Sequence, residues 1–126
     1  MTDRELLEFA AKAAGINVVR SRLDDPMSGD FLVNASARNP HQVSGPWNPL
    51  TDDGDAMRLM VKLRLHARQF PIVDDGFDVP LGMVEVWRVD DDDPLRVEFL
   101  RSGDDRLVVT RRAIVRAAAE IGRQMK

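Results

Sequence analysis

Apolar residues recur at helical spacing in three parts of the chain, which predicts three helices. The first is expected over 3–14, between Thr2 as its N-cap and Gly15 as its stop. The second follows a tryptophan-asparagine-proline motif, and the third is expected to begin at Thr110 and to end near Ile121. The apolar stripes of the three helices are Leu6, Phe9, Ala10 and Ala13; Ala56, Leu59, Met60 and Leu63; and Ile114, Ala117, Ala118 and Ile121.

Short apolar or β-branched runs between turn signals predict the strands. Two are expected before the second helix, at 16–19 and 31–33, followed by a loop over 35–46. Further strands are expected after it, at 69–73, 83–89, 95–101 and 107–109. In the strand at 95–101, apolar residues alternate with mostly polar ones, which is typical of a half-buried strand. Short turns join the last three strands, so the pattern predicts an antiparallel meander.

These elements predict an α+β fold in which helices cover a mainly antiparallel sheet, in the order helix, two strands, helix, three or four strands, helix. The length of 126 residues and a hydrophobic share of 44% favour a single domain over residues 1–126. The chain has no cysteine, which excludes disulfides and thiolate metal sites. Because it has neither a signal-like start nor an apolar run of about 18 residues, we expect a soluble cytoplasmic protein without membrane contact. An open sheet edge is compatible with a homodimer.

The segment that begins at Trp47 gathers rare residue types in a defined order and is typical of a helix start. Pro49 favours an extended backbone at Asn48. Thr51 or Asp52 is expected to accept the free amide hydrogens of the first helical turn, and Trp47 to pack its indole in the core. A structural role is favoured over a calcium site, because calcium loops spread oxygen ligands over about 12 residues and end in a glutamate that is missing here.

Three segments carry a resemblance to a known family: the motif from Trp47 continued to Leu63, the arginine- and alanine-rich stretch 111–122, and the opening stretch 4–16. In sequence and order they resemble a family of small bacteriophage proteins, the phage αβα (ABA) sandwich domain. The resemblance implies a three-layer αβα arrangement and a phage or prophage source, with the cytoplasm of a bacterial host as the location. It implies no activity and no catalytic residues, because the family has no assigned biochemistry.

Four consecutive acidic residues are expected in the turn between the strands 83–89 and 95–101. They are Asp90, Asp91, Asp92 and Asp93. A solvated turn is the ordinary explanation for such a run. The four carboxylates are also the candidate contact for a basic protein partner, and their spacing disfavours a dedicated Mg²⁺ site.

His41 and His66 are the two histidines of the chain. His41 falls in the predicted loop, and His66 is expected at the C-terminal end of the second helix, where a cation is favoured. Neither has a second histidine four residues away, the spacing of common helical metal sites. A small metal-dependent hydrolase that uses Asp52, Asp55 and a histidine is the weaker of two alternative functions.

Arg111, Arg112 and Arg116 make the last helix locally basic and are the candidate phosphate contacts. They support the other alternative, a nucleic-acid-binding accessory factor. Two observations argue against it: the formal net charge is −3, and no aromatic residue is interleaved with these arginines for stacking on bases.

Motifs for covalent or nucleotide chemistry are missing from the sequence. There is no cysteine nucleophile, no Gly-x-Ser-x-Gly elbow, no P-loop and no dinucleotide-binding glycine pattern. We therefore predict a non-enzymatic phage accessory protein that binds a host or phage protein and uses no cofactor.

Overall fold

The computed structural model describes residues 2–20, 31–34, 43–71, 82–101 and 103–125. Its elements are α1 (Asp3–Ala14), β1 (Asn17–Arg20), β2 (Phe31–Asn34), β3 (Val43–Trp47), α2 (Asp53–Lys62), β4 (Leu65–Pro71), β5 (Gly82–Arg88), β6 (Arg96–Leu100) and α3 (Arg106–Gln124). The strands form two antiparallel three-stranded sheets in sequential order, β1-β2-β3 and β4-β5-β6. The prediction of an α+β fold with antiparallel strands and packed helices is confirmed.

Local signals in the sequence set the ends of α1 and the start of α2. The hydroxyl of Thr2 accepts the amide hydrogen of Glu5 at 3.2 Å, and Gly15 ends α1 with a left-handed φ of 68°. Asp52 caps α2, because its carboxylate accepts the amide hydrogen of Asp55 at 2.8 Å. The predicted cap and stop of α1 are confirmed, and of the two expected caps for α2 the structure uses the aspartate.

Helix α3 packs against α1 through small side chains. Gly122 lies directly against the backbone carbonyl of Phe9, where an added Cβ would collide with it. Arg112 pairs with Asp3 near the start of α1, and Lys12 near its end reaches the C-terminal end of α3, so the two helices run in the same direction. The buried alanines of the two helices, all of them in the hydrophobic core, are Ala10, Ala11, Ala14, Ala113, Ala117, Ala118 and Ala119.

One face of the β4–β5–β6 sheet, the inner face, is buried beneath α3. Its buried apolar members are Leu65, Val84, Val86 and Leu100, and Ala67 is half-buried against them. Gln69 at the margin of this face donates to the hydroxyl of Thr110 at 2.9 Å and accepts from Arg106 at 2.6 Å. The hydrophobic core therefore surrounds α3, which contacts the inner face, α1 and α2.

The strand predicted at 107–109 is instead the first turn of α3, which begins at Arg106 and not at Thr110. Asp105 is the N-cap, and its carboxylate accepts the amide hydrogen two residues further on at 2.8 Å. Val109 packs against the hydrophobic core. The cap and this packing outweigh the preference of β-branched residues for strands, which is a weak one.

Two other strand boundaries differ from the prediction. Val43–Trp47 forms an edge strand where a loop was expected, and Pro46 is tolerated there because an edge strand leaves one row of backbone groups outside the sheet ladder. Strand β4 begins at Leu65, four residues before the predicted start, because Arg64 turns the chain with a left-handed φ of 54°. The predicted end of that strand at 72–73 lies outside the described residues.

Candidate functional site

The second face of the β4–β5–β6 sheet carries aromatic and apolar side chains. The register of β4 and β5 sets His66 opposite Trp87 and Phe70 opposite Met83. On the other side of β5, Phe99 of β6 lies opposite Met83. We call this surface the outer face, and its residues are His66, Arg68, Phe70, Met83, Glu85, Trp87, Val97 and Phe99.

The apolar residues of the outer face lie apart from the hydrophobic core. Phe99 is 49% exposed, and Phe70, Met83, Trp87 and Val97 are half-buried. None of these side chains belongs to the core or packs against it. An apolar surface with several aromatic residues is characteristic of binding sites, since single exposed apolar residues are common but clusters are not.

Polar groups of the outer face interact with its aromatic rings. The rings of His66 and Trp87 stack with centroids 6.2 Å apart and planes at 22°. The indole Nε1 of Trp87 donates to the carboxylate of Glu85 at 2.9 Å, and the guanidinium of Arg68 lies 5.1 Å from the ring centre of Phe70. His66 was expected at a helix end and instead lies in β4, because the chain turns at Arg64. These contacts fix the ring orientations and give the surface a defined shape.

The acidic residues 90–93 lie in the turn between β5 and β6, at the end of the sheet nearest Trp87. All four side chains are exposed, and none forms an ion pair with a residue in the described part of the chain. Arg64 and Arg88 line a shallow cleft of about 250 Å³ together with two of these aspartates. Two cations beside four carboxylates leave this end of the sheet negative.

The motif that begins at Trp47 builds the start of α2, and Trp47 itself is buried in the core as predicted. Asn48 forms the turn: its side-chain oxygen accepts from the amide of Leu50 at 3.0 Å, and its backbone carbonyl accepts from the amides of Thr51 and Asp52. Asp55 is buried, 8% exposed, and accepts from the amide of Asn48 at 2.9 Å and from Arg58 at 2.7 Å. The carboxylates of Asp52 and Asp55 therefore connect the turn at Asn48 to the start of α2.

Arg111 joins this motif to α3. Its Nε donates to the carbonyl of Leu50 at 2.8 Å, and its Nη1 donates to the carboxylate of Asp53 at 2.6 Å. Arg111 thus contacts two residues that lie 58 and 61 positions before it in the sequence, and its side chain is 16% exposed. Arg111, which was expected to contact phosphate, therefore connects α3 to the start of α2.

The other two candidate phosphate contacts of α3 are also paired within the chain. Arg112 donates to Asp3 at 2.9 Å, and Arg116 donates to Glu98 at 2.6 Å, with side-chain exposures of 33% and 32%. Glu98 also accepts from Arg96 at 3.1 Å. A phosphate would have to displace these carboxylates, so nucleic-acid binding through α3 stays a prediction that the geometry does not favour.

The pKa values of the paired carboxyls follow from these contacts. A hydrogen bond from Arg112 holds the pKa of Asp3 below its ordinary value. For Glu98, burial raises the pKa, but the hydrogen bonds and charges of Arg116 and Arg96 outweigh burial and leave the pKa below its ordinary value. Both carboxyls are therefore ionised and paired near neutral pH.

The residues expected for a metal-dependent hydrolase do not converge in the described part of the chain. Asp52 caps α2 and Asp55 holds the turn, whereas His66 stacks on an indole in β4. No group of three or more histidine, aspartate or glutamate side chains among the described residues is arranged to hold a metal ion. His41 lies outside the described residues.

No protein-family model matches this chain, and no curated protein and no solved structure matches it either. Among the helices that the structure describes, none has the length and apolar character needed to cross a membrane. The resemblance to the phage sandwich family therefore stays a prediction.

The outer face is the feature that the sequence reading missed. Its signal is in β5, where Met83, Val84, Val86 and Trp87 place apolar residues on both faces of a single strand. A strand with only one covered face alternates apolar with polar residues, and apolar residues on both faces indicate a second contact surface.

Proposed function

We propose that this protein is a non-enzymatic binding protein whose acidic turn at 90–93 engages a basic surface of a protein partner. The observation that supports the proposal is the distribution of free charge. Arg111, Arg112 and Arg116 of α3 are paired with carboxylates of the same chain, whereas the four aspartates of the turn have no ion-pair partner among the described residues. The charge that remains for an external partner is therefore negative at the β5–β6 end of the sheet.

We also propose that the protein has the phage or prophage source that the family resemblance implies. Its partner would then be a host or phage protein. Electrostatic attraction of this kind sets the rate of association and the choice of partner, and salt weakens it. Removal of the turn charges should therefore slow binding and make it less sensitive to salt.

A pull-down from nuclease-treated bacterial lysate tests the proposal. The double variant Asp91→Asn/Asp92→Asn removes two charges from the turn. The matched control Glu8→Gln/Glu120→Gln removes two charges elsewhere: Glu8 is exposed on α1, Glu120 is half-buried on α3, and each has a nearby arginine. We expect the same protein to be recovered with the wild type and the control, and in a clearly smaller amount with the turn variant and in high salt.

Equal recovery with the turn variant would contradict the proposal. Recovery that depends on omitting the nuclease would instead favour nucleic acid as the ligand. In that case the contacts of Arg111, Arg112 and Arg116 with carboxylates would have to open, and the salt dependence of binding would be steep.

A further inference from the structure

The outer face of the β4–β5–β6 sheet has the size of a single helix. Strand β5 has seven residues, which span about 23 Å at about 3.3 Å per residue. Three strands about 4.8 Å apart make the sheet about 10 Å wide between the axes of β4 and β6. A helix with its side chains is also about 10 Å wide, and about 16 residues of helix reach about 24 Å.

The inner face of the same sheet shows that a helix fits these strands. Helix α3, with 19 residues, packs against β5 and β6 from that side. The buried positions of β5 on the inner face are Val84 and Val86, and Met83 and Trp87 alternate with them on the outer face. A second helix on the outer face would complete the usual arrangement, in which both apolar faces of a sheet are covered.

The charges near the outer face determine what kind of helix fits. On the face itself Arg68 and Glu85 are opposite in the register and their formal charges sum to zero, so the aromatic and apolar side chains dominate the centre. At the end of the sheet beside Trp87, the four exposed carboxylates at 90–93 outnumber Arg64 and Arg88. A complementary helix therefore has an apolar stripe along its length and lysine or arginine residues at the end that meets the turn.

We infer that the outer face is the docking surface for a basic amphipathic helix of the partner protein. Its apolar stripe lies over Phe99, Met83 and Trp87, and its basic end meets the acidic turn. A second copy of this chain is a poorer occupant, because the formal net charge of −3 opposes self-association. The inference rests on the proposed function, since it names the partner that the acidic turn attracts.

A peptide selection tests this inference on the full-length chain. A displayed library of random peptides of about 16 residues, the length that matches β5, is selected against the wild-type protein. The enriched peptides are then synthesised, and their dissociation constants are measured by fluorescence anisotropy, with circular dichroism to follow helix formation on binding.

Four variants separate the contributions to peptide binding. Phe99→Ser removes the exposed phenylalanine of the outer face, and Val61→Ser is its matched control, because Val61 is 68% exposed on α2. Asp91→Asn/Asp92→Asn and Glu8→Gln/Glu120→Gln test the turn and its charge control. Urea midpoints of all variants show whether the fold is retained.

The expected peptides have apolar residues at helical spacing, carry lysine or arginine, and become helical when bound. Phe99→Ser should weaken their binding by about tenfold or more, as truncation of an aromatic contact at an interface does, while Val61→Ser leaves it unchanged. The inference is wrong if no peptide is enriched, if the enriched peptides are acidic or extended, or if Phe99→Ser binds them as tightly as the wild type does.

The same variants distinguish failure of this inference from failure of the proposed function. Weaker binding by the turn variant alone would leave the proposed function standing and remove the outer face as the docking surface. Weaker binding by Phe99→Ser alone would overturn the proposed function and the basic character of the helix.

Two other occupants of the outer face have their own signatures. If light scattering shows a dimer that Phe99→Ser dissociates, a second copy covers the face and the inference is wrong. If Phe99→Ser lowers the urea midpoint as far as a core substitution does, the chain covers its own outer face and the inference is also wrong.

Discussion

Substitution of Gly122 by alanine should destabilise the protein strongly, although alanine is the better helix former. Gly122 lies within α3 with an ordinary helical backbone, so glycine is not required there for its conformation. It is required for space, because a Cβ at this position would meet the backbone carbonyl of Phe9 at far less than contact distance. A backbone carbonyl in the middle of α1 cannot rotate away, so α1 and α3 would have to separate.

The expected magnitude follows from two opposing effects. Overpacking of a well-packed core costs about 1–3 kcal/mol, and the upper end applies here because the obstacle is backbone. The higher helix propensity of alanine returns about 1 kcal/mol. We therefore expect Gly122→Ala to lower the free energy of unfolding by about 2 kcal/mol, which is a large share of the roughly 5–15 kcal/mol of a typical domain.

Gly54 provides the matched control, because it is also a glycine within a helix. A Cβ there would lie 3.2 Å from the end of the exposed Arg58 side chain, which can move away, and 3.2 Å from the Asp52 carboxylate that caps α2, so a shift of a few tenths of an ångström at side-chain atoms is enough. Urea unfolding followed by circular dichroism should show Gly54→Ala within about 0.5 kcal/mol of the wild type, as for most surface substitutions. The reasoning is refuted if Gly122→Ala is as stable as the wild type, or if both variants lose the same free energy.

Three further predictions concern the ion pairs and the backbone. Asp55→Ala should lower the free energy of unfolding by about 2 kcal/mol, because the amide of Asn48 loses a charged acceptor; an unchanged urea midpoint would show that the turn does not depend on it. Glu98→Gln should be less stable than the wild type near neutral pH. The difference should shrink as the pH falls below the ordinary glutamate pKa of 4.5, because the Glu98 carboxyl, whose pKa is lowered in the folded state, contributes stability only while it is ionised. Thermal melts that show a constant difference down to low pH would contradict this prediction. Arg64→Gly should cause no loss of stability, because glycine relieves the left-handed backbone at φ 54°, and a clearly lower melting temperature would show that the Arg64 side chain stabilises the fold.

The features that were predictable from the sequence are those encoded by neighbouring residues. Thr2 and Gly15 mark the ends of α1, and Asp52 marks the start of α2, because caps act within one helical turn. The start of α3 was placed too late because Val108 and Val109 resemble a strand when only their β-branched side chains are considered. Their helical state depends on a cap and on packing against distant parts of the chain.

The orientation of β6 shows a second limit of local patterns. Alternation shows that Val97 and Phe99 share one face, but not which face meets the core. The structure turns Glu98 inward, where Arg116 of α3 neutralises it, and leaves Phe99 outside. That choice depends on an ion pair between residues 18 positions apart, which no local pattern reveals.

The sequence pattern predicts a free basic surface at Arg111, Arg112 and Arg116 because local patterns do not reveal distant partners. Their spacing on the helix is visible in the sequence, but their partners come from α1, β6 and the start of α2. Once these partners are known, the four carboxylates of the acidic turn stand out as exposed charges without an ion pair among the described residues, and the candidate site moves from α3 to the β4–β5–β6 sheet.

The most direct test of the account is the position of a selected peptide on the protein, measured by nuclear Overhauser effects between the two molecules. The account predicts contacts from apolar peptide side chains to the ring protons of Phe99 and Trp87, and basic peptide residues near the turn at 90–93. Contacts confined to α3 or to Val61 on α2, with the rings of the outer face unaffected, would contradict it.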